Sequence, residues 1–450
     1  MTPPQLLSRV LTRARRSPLA RQFVNGLLWL TLGAAPSRAA ALLATVLVAR
    51  ILGRETYGEL TLARSTVNAF VTVATFGMGR AAAKFVAELL VTDKERVGRI
   101  VGLNLASTLI SSGLVAVLFF FFADYLCTTL ISSPHLTFQV RLCAPLLILT
   151  ALVGAQIGVL TGFQAYREIA LGASISGFLM IPFYALGARY WGLTGATLGF
   201  TSGPLLNFLC NSFFLGRLFN ARGVRRRFAG CWRETPVLWN FCLPSTLLSL
   251  VMSGATWLIT ICLAREPNGS SEVGIFDAAR QIQTAILYLP TLAANIVVPM
   301  LSELNAMQDG ARYRRTLRAN LAINALFTGC LASVGIVGSR IIMRAFGDGF
   351  EVGADVLCVL ALTSVVMSVA NVYASALTAL GALWSRFLYT VAWSALAILG
   401  TLAFSLYRHG AFAVALAMLL AYVAQTLGFA FRVRTLLRAR DQEIQQLQSK

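Results

Sequence analysis

The forty-odd residues from Ala49 to Leu89, ARILGRETYGELTLARSTVNAFVTVATFGMGRAAAKFVAEL, decide how the chain is read. A short polar segment, Gly53-Arg54-Glu55-Thr56-Tyr57-Gly58, separates two apolar runs and predicts a turn between two helices. The second run carries polar residues at helical spacing: Thr61, Arg64, Ser65, Asn68, Thr72 and Thr75. An arginine within an apolar span is costly unless it faces protein, water or a counter-charge. The stripe therefore predicts a membrane helix that turns its polar side toward an interior path.

The pattern returns further along the chain. Tyr57-Gly58 recurs as Val273-Gly274, and Ala63-Arg64 as Ala279-Arg280, an offset of 216 residues. The second stripe reads Asp277, Arg280, Gln281, Thr284, Tyr288 and Thr291. Pro36-Ser37 and Pro244-Ser245 also repeat, eight residues out of phase, a slip that the extra loop residues Glu266 to Ser271 absorb. Two like halves in one membrane chain predict a transporter built from repeats, with a binding site at the repeat interface.

Composition sets the class. The chain has 450 residues, 57% of them hydrophobic and 12% charged, where a soluble domain carries about 25% charged residues. The apolar residues fall in runs of about 20, the length of a transmembrane helix. The expected fold is all-α and polytopic, with about twelve transmembrane helices in two six-helix lobes around a central cavity. Expected spans are 27–51, 59–79, 101–123, 142–163, 168–188 and 192–215, then 237–263, 274–300, 319–339, 354–378, 386–406 and 411–433. The corresponding division is a basic tail 1–24, a first lobe 25–215, a basic loop 216–236, a second lobe 237–433 and a polar tail 434–450 that extends the last helix. The apolar run from Gly26 to Ile51 is too long for the core of a cleaved signal, so it reads as an uncleaved first span.

The net charge of +20 does not point to nucleic acid. The basic residues sit in short loops between apolar runs, as insertion topology requires. Arg217, Arg222, Arg225, Arg226, Arg227 and Arg233 crowd the central loop, and the other loops on the same expected side are also basic. That asymmetry places both termini in the cytoplasm, and it adds attraction to anionic membrane lipids. The eight cysteines are scattered without a CxxC or Cys/His cluster, so no metal is expected. Cys127 and Cys143 flank an outer loop, where a disulfide is an open alternative to two small apolar fillers.

No Gly-rich phosphate loop, HExxH, GxSxG or cluster of carboxylates occurs, so no catalytic residue and no cofactor is assigned. The candidate site residues are instead Arg38, Arg64 and Asn68 in the first half and Asp277, Arg280 and Gln281 in the second. Asp277 stands three residues before Arg280 and shares its face, so mutual neutralisation competes with a ligand role. Snorkelling to the surface competes for Arg64. Interior arginines suit a phosphate or diphosphate, which guanidinium binds bidentately, whereas an exporter of cations would present carboxylates at membrane depth.

Six segments stand out: ARILGRETYGEL at 49–60, FGMGRAAAKFVAE at 76–88, LTGFQAYREIA at 160–170, VGIFDAARQIQ at 273–283, VVPMLSEL at 297–304 and FGDGFEVGADVL at 346–357. In order and spacing they resemble the polysaccharide transporter family, which includes the O-antigen flippases and belongs to the multidrug/oligosaccharidyl-lipid/polysaccharide exporter superfamily. The resemblance implies two six-helix lobes that open alternately to each side of the bacterial cytoplasmic membrane. It implies transport of polyprenyl-diphosphate-linked oligosaccharide, O-antigen or exopolysaccharide, from the inner to the outer leaflet. Its implied partners are that lipid-linked oligosaccharide, membrane lipids, a glycan polymerase and other assembly proteins, with no nucleic acid. A cation-coupled multidrug exporter or a lipid II flippase on the same fold is the alternative, and a membrane enzyme of glycan polymerisation is the alternative of another class.

Overall fold

Helix is the regular structure throughout the described residues, as a lipid environment demands, because a helix satisfies its backbone polar groups within one segment. The computed structural model describes residue 33 and residues 35–90, 92–224, 226–235, 242–307, 310–405 and 410–448. The long helices are α1 (Ala35–Thr75), α2 (Met78–Leu89), α3 (Lys94–Tyr125), α4 (Ala144–Gly162), α5 (Tyr166–Arg222), α6 (Leu243–Ala264), α7 (Gly269–Ala306), α8 (Gly310–Val337), α9 (Ala354–Ala379), α10 (Leu383–Ser405) and α11 (Ala411–Gln448).

Two long helices are broken inside and can cross a bilayer twice. The 41 residues of α1 and the 57 of α5 rise through about 60 Å and 85 Å, against a hydrocarbon core of about 30 Å. Each is broken at a glycine with positive φ: Gly53 (φ 74°, ψ 169°) in α1, and Gly192 (φ 55°) beside Trp191 in α5. Eight of the described helices are long and apolar enough to cross a membrane, and counting each broken one as two crossings gives ten; α6, with a shorter apolar stretch Ser249–Ala264, and α7 are the remaining long helices of the expected twelve. The turn expected over Gly53–Gly58 is corrected to a single residue. Gly53 alone leaves helical geometry, and Arg54–Gly58 form the first turns of the second crossing, with Tyr57 and Gly58 buried. A residue without Cβ makes the reversal in one step. The polar tail extends the last helix, since α11 runs to Gln448. All eight cysteines are free thiols, so the Cys127–Cys143 disulfide alternative is excluded in favour of two buried small side chains.

The chain divides into two units, Met1–Trp257 and Leu258–Lys450. In the first, α4 is central and packs against α1, α2, α3 and α5. In the second, α9 is central and packs against α7, α8, α10 and α11. Both central helices are rich in small residues, which let backbones approach closely where no hydrophobic drive acts between helices in lipid. One close approach joins α2 to α4: a Cβ on Gly158 would meet Gly79 O at 2.1 Å, and one on Gly79 would meet Gly154 O at 2.6 Å.

The basic segment after α5 is latched to the first unit. Arg96 Nε donates to both carboxylate oxygens of Glu234 at 3.1 Å, and Arg99 Nε lies 3.6 Å from the same group. Arg227 N–H donates to Gly98 O at 3.2 Å while its guanidinium pairs with Glu95. Glu234 is 8% exposed, but Arg96 is half in water, so screening reduces the value of the pair. We expect Glu234→Gln to lower stability by about 1 kcal/mol. Thermal unfolding of the purified protein checks this, and an unchanged midpoint would show that the latch is not stabilising.

Candidate functional site

The two polar stripes are built on corresponding stretches, the second half of α1 and the first half of α7. Their burial repeats along with their sequence. Thr61 and Asp277 are buried; Arg64 and Arg280, Ser65 and Gln281, and Thr72 and Tyr288 are all half-buried; Asn68 and Thr284 are exposed. Thr75 and its counterpart Thr291 depart from this only in degree, half-buried against exposed. The other faces are sealed: Leu60, Leu62 and Ala63 in one, and Phe276, Ala278 and Ala279 in the other, are buried. Each unit thus packs the apolar side of this helix inward and leaves the stripe partly accessible from Arg64 and Arg280 onward, with Thr61 and Asp277 buried. An accessible arginine-bearing face is poorly suited to hydrocarbon, so water, a ligand or polar protein is the environment it fits.

Within the first unit, the Arg64 guanidinium lies over the Phe200 ring, 4.3 Å from its centroid, and Phe200 in turn contacts the buried Tyr184. Stacking on a ring holds the planar fork in place. The Nε and Nη1 edges are shielded from solvent. Snorkelling does not describe this arginine, because its head is held against an aromatic ring inside the unit. Asn68 is exposed one turn further along α1. Arg38 lies in the first turn of α1 as described and is exposed; most of the residues before it in its expected span lie outside the described residues.

In the second unit the structure brings Asp277, Arg280 and Gln281 together. Asp277 is 6% exposed. Its Oδ1 lies 4.0 Å from Arg280 Nε, and its Oδ2 accepts from Gln281 Nε2 at 3.3 Å. This is the local pairing that i, i+3 spacing allows. A contact of 4.0 Å between one nitrogen and one oxygen leaves most of the guanidinium fork unused, so pairing and ligand binding by Arg280 are compatible.

A second repeated pair escaped the sequence reading. Asn104 and Thr108 on α3, and Asn324 and Thr328 on α8, stand 220 residues apart and are all buried. Asn104 Nδ2 crosses to Ala155 O on α4 at 3.1 Å, whereas Asn324 Nδ2 bonds Asn320 O within its own helix. The Asn-x-x-x-Thr spacing at a fixed offset was the available signal. Of these two bonds, only that of Asn104 ties two helices together, as polar side chains do within a membrane bundle. Phe200 also escaped, because nothing local in sequence links it to Arg64.

A family model described as polysaccharide biosynthesis protein matches residues 23–305. The EPS I polysaccharide export inner membrane protein EpsE of Ralstonia nicotianae is 23% identical over 200 residues. That match covers 43% of this chain and 45% of the relative, so it spans less than half of the relative's length. Among solved structures, an inward-facing multidrug resistance MATE family transporter of the MOP superfamily superposes with a TM-score of 0.79 at 15% identity, covering 90% of this chain and 96% of that one. The lipid II flippase MurJ, in an inward closed conformation, gives 0.73 at 17% identity, covering 90% and 87%. A MOP superfamily transporter from Pyrococcus furiosus gives 0.69 at 15% identity, covering 92% and 96%. At these identities the likeness is one of fold, and the fold is that of the MATE and MurJ transporters.

Proposed function

This chain belongs to the polysaccharide biosynthesis protein family, and from that premise we propose that it is a flippase for polyprenyl-diphosphate-linked oligosaccharide. It carries O-antigen, exopolysaccharide or a related glycan from the inner to the outer leaflet of the bacterial cytoplasmic membrane by alternating access. The moving parts are the lobes 25–215 and 237–433, joined by the basic loop 216–236, and both termini are cytoplasmic. The name of the Ralstonia relative, a polysaccharide export inner membrane protein, supports the location and the class of cargo.

One observation carries the reading: each repeat leaves a polar stripe partly accessible and places a half-buried guanidinium, Arg64 or Arg280, at the same register. Guanidinium forks meet diphosphate bidentately and offset its desolvation. Arg38, Asn68 and Gln281 add donors for phosphate or sugar, while the polyprenyl tail stays in lipid. The cation-exporter alternative needs a carboxylate at membrane depth. Asp277 is the candidate, but it faces Arg280, which favours an anionic cargo. The MATE and MurJ likenesses are to transport proteins, which favours translocation over polymerisation.

The test is leaflet-resolved accessibility of labelled lipid-linked oligosaccharide in vesicles reconstituted with the purified protein. Label buried in the inner leaflet is expected to reach an impermeant external probe only when the protein is present. Equal exposure in empty vesicles would overturn the proposal. Lengthened glycan would assign a polymerase, and uptake of a lipophilic cation without flipping would assign a drug exporter.

A further inference from the structure

The end of the second unit where α9 gives way to α10 holds two guanidiniums whose hydrogen-bond partners are hydroxyls. Arg386, in the first turn of α10, is half-buried and donates from Nη1 to Thr378 Oγ1 at 3.0 Å. Arg432, on α11, donates from Nε to Ser385 Oγ at 3.1 Å. Ser385 and Arg386 are chain neighbours and α10 packs along α11, so both cations stand at one corner. Among the described residues, no carboxylate lies within ion-pairing distance of either. Glu303, on the last turns of α7 at this end, is beyond it. Arg318, Arg434 and Arg438 on neighbouring turns make the surroundings more positive still.

A guanidinium carries five N–H donors, and each of these two gives one to a neutral oxygen. The remaining donors fit a bidentate anion. What flanks the corner identifies the anion's carrier. Trp384 is 79% exposed and packs edge-on against Phe387, 5.9 Å between centroids, and Phe431, next to Arg432, is 66% exposed. Leu383, Leu388 and Leu427 are exposed beside them. Exposed tryptophan at a helix end beside arginine is the signature of the membrane–water interface, where lipid phosphates lie. Apolar side chains below the cations offer a surface to acyl chains.

We propose that Arg386 and Arg432, with Thr378 and Ser385, form a binding site for the phosphate of an anionic glycerophospholipid, distinct from the stripe residues and independent of the cargo. The probe is phosphatidylglycerol titrated onto the full-length protein and read by native mass spectrometry as the affinity of the first bound lipid. Arg386→Gln with Arg432→Gln is expected to weaken that first event by at least about tenfold. Lysine at both positions should retain part of it, and Arg340→Gln at the opposite end of the unit should not change it. Arg432 is exposed, so Arg432→Gln alone keeps the test valid if the double variant fails to fold; it should weaken binding severalfold. Equal affinity in wild type and Arg432→Gln would overturn the proposal. So would displacement of the lipid by millimolar inorganic phosphate, which would make the site one for the free ion. A loss confined to undecaprenyl diphosphate would assign the corner to the translocated cargo instead, and this too would overturn it.

Discussion

Arg280→Ala is expected to slow translocation of lipid-linked oligosaccharide by about tenfold or more, while Arg280→Lys keeps the larger part of the rate. A charge-assisted hydrogen bond to a desolvated phosphate is worth about 1.5–3 kcal/mol, and every 1.4 kcal/mol or so is a factor of about ten. Lysine keeps the charge but not the fork, so it falls between the two. Folding complicates the single substitution. Asp277 is 6% exposed with its Oδ1 at 4.0 Å from Arg280 Nε, and removing the cation raises the cost of the remaining carboxylate. The informative variant is therefore Asp277→Asn combined with Arg280→Ala, which removes both charges. It should unfold near the wild-type temperature and still transport slowly. Full transport by that double variant would show that Arg280 does no more than neutralise Asp277. Arg64→Ala, at the same register in the first repeat, should give a comparable loss. Its guanidinium rests on Phe200, so Phe200→Leu should cost less than Arg64→Ala but more than a distant control.

The membrane class, the helix order and the internal repeat were legible in the sequence because the bilayer enforces simple rules. Apolar run length gives the crossings, and α3, α4, α8, α9 and α10 lie where hydropathy puts them. The offset of 216 residues located the stripes, whose burial then repeats position by position. Boundaries set by one backbone angle were less legible. Composition shows a polar segment from Gly53 to Gly58, but only φ shows that Gly53 alone makes the break. The latch of Glu234 onto Arg96 and the stacking of Arg64 on Phe200 join residues more than 130 positions apart. Local pattern carries no information about such partners. The positive loops were read as topology signals, and so the hydroxyl-paired Arg386 and Arg432 did not stand out from their neighbours.

Gly158→Leu is expected to destabilise the first unit by about 2–3 kcal/mol, and even Gly158→Ala should be clearly felt. The reason is geometric. A Cβ at this position of α4 would lie 2.1 Å from Gly79 O and 2.5 Å from Gly79 Cα. These are backbone atoms of α2, so no rotamer change relieves the overlap, and the facing residue is already glycine, so no smaller neighbour can be substituted. The two helices must separate, and dispersion contacts that drive association in lipid are lost along the crossing. Gly113→Ala on α3 is the matched control: a Cβ there meets nothing within 4 Å, and its effect should stay within about 1 kcal/mol. Thermal unfolding of the detergent-solubilised proteins, with the retained monodisperse fraction, reads both. Equal midpoints for Gly158→Ala and Gly113→Ala would mean that α2 and α4 do not meet at this contact. The loss should also reach transport. α2 follows α1 through the break at Phe76 and Gly77, both with positive φ, so α2 fixes where the end carrying Thr72 and Thr75 lies. If Gly158→Ala folds at low temperature yet transports slowly there, the close crossing serves to hold the Arg64 stripe in position as well as to hold the unit together.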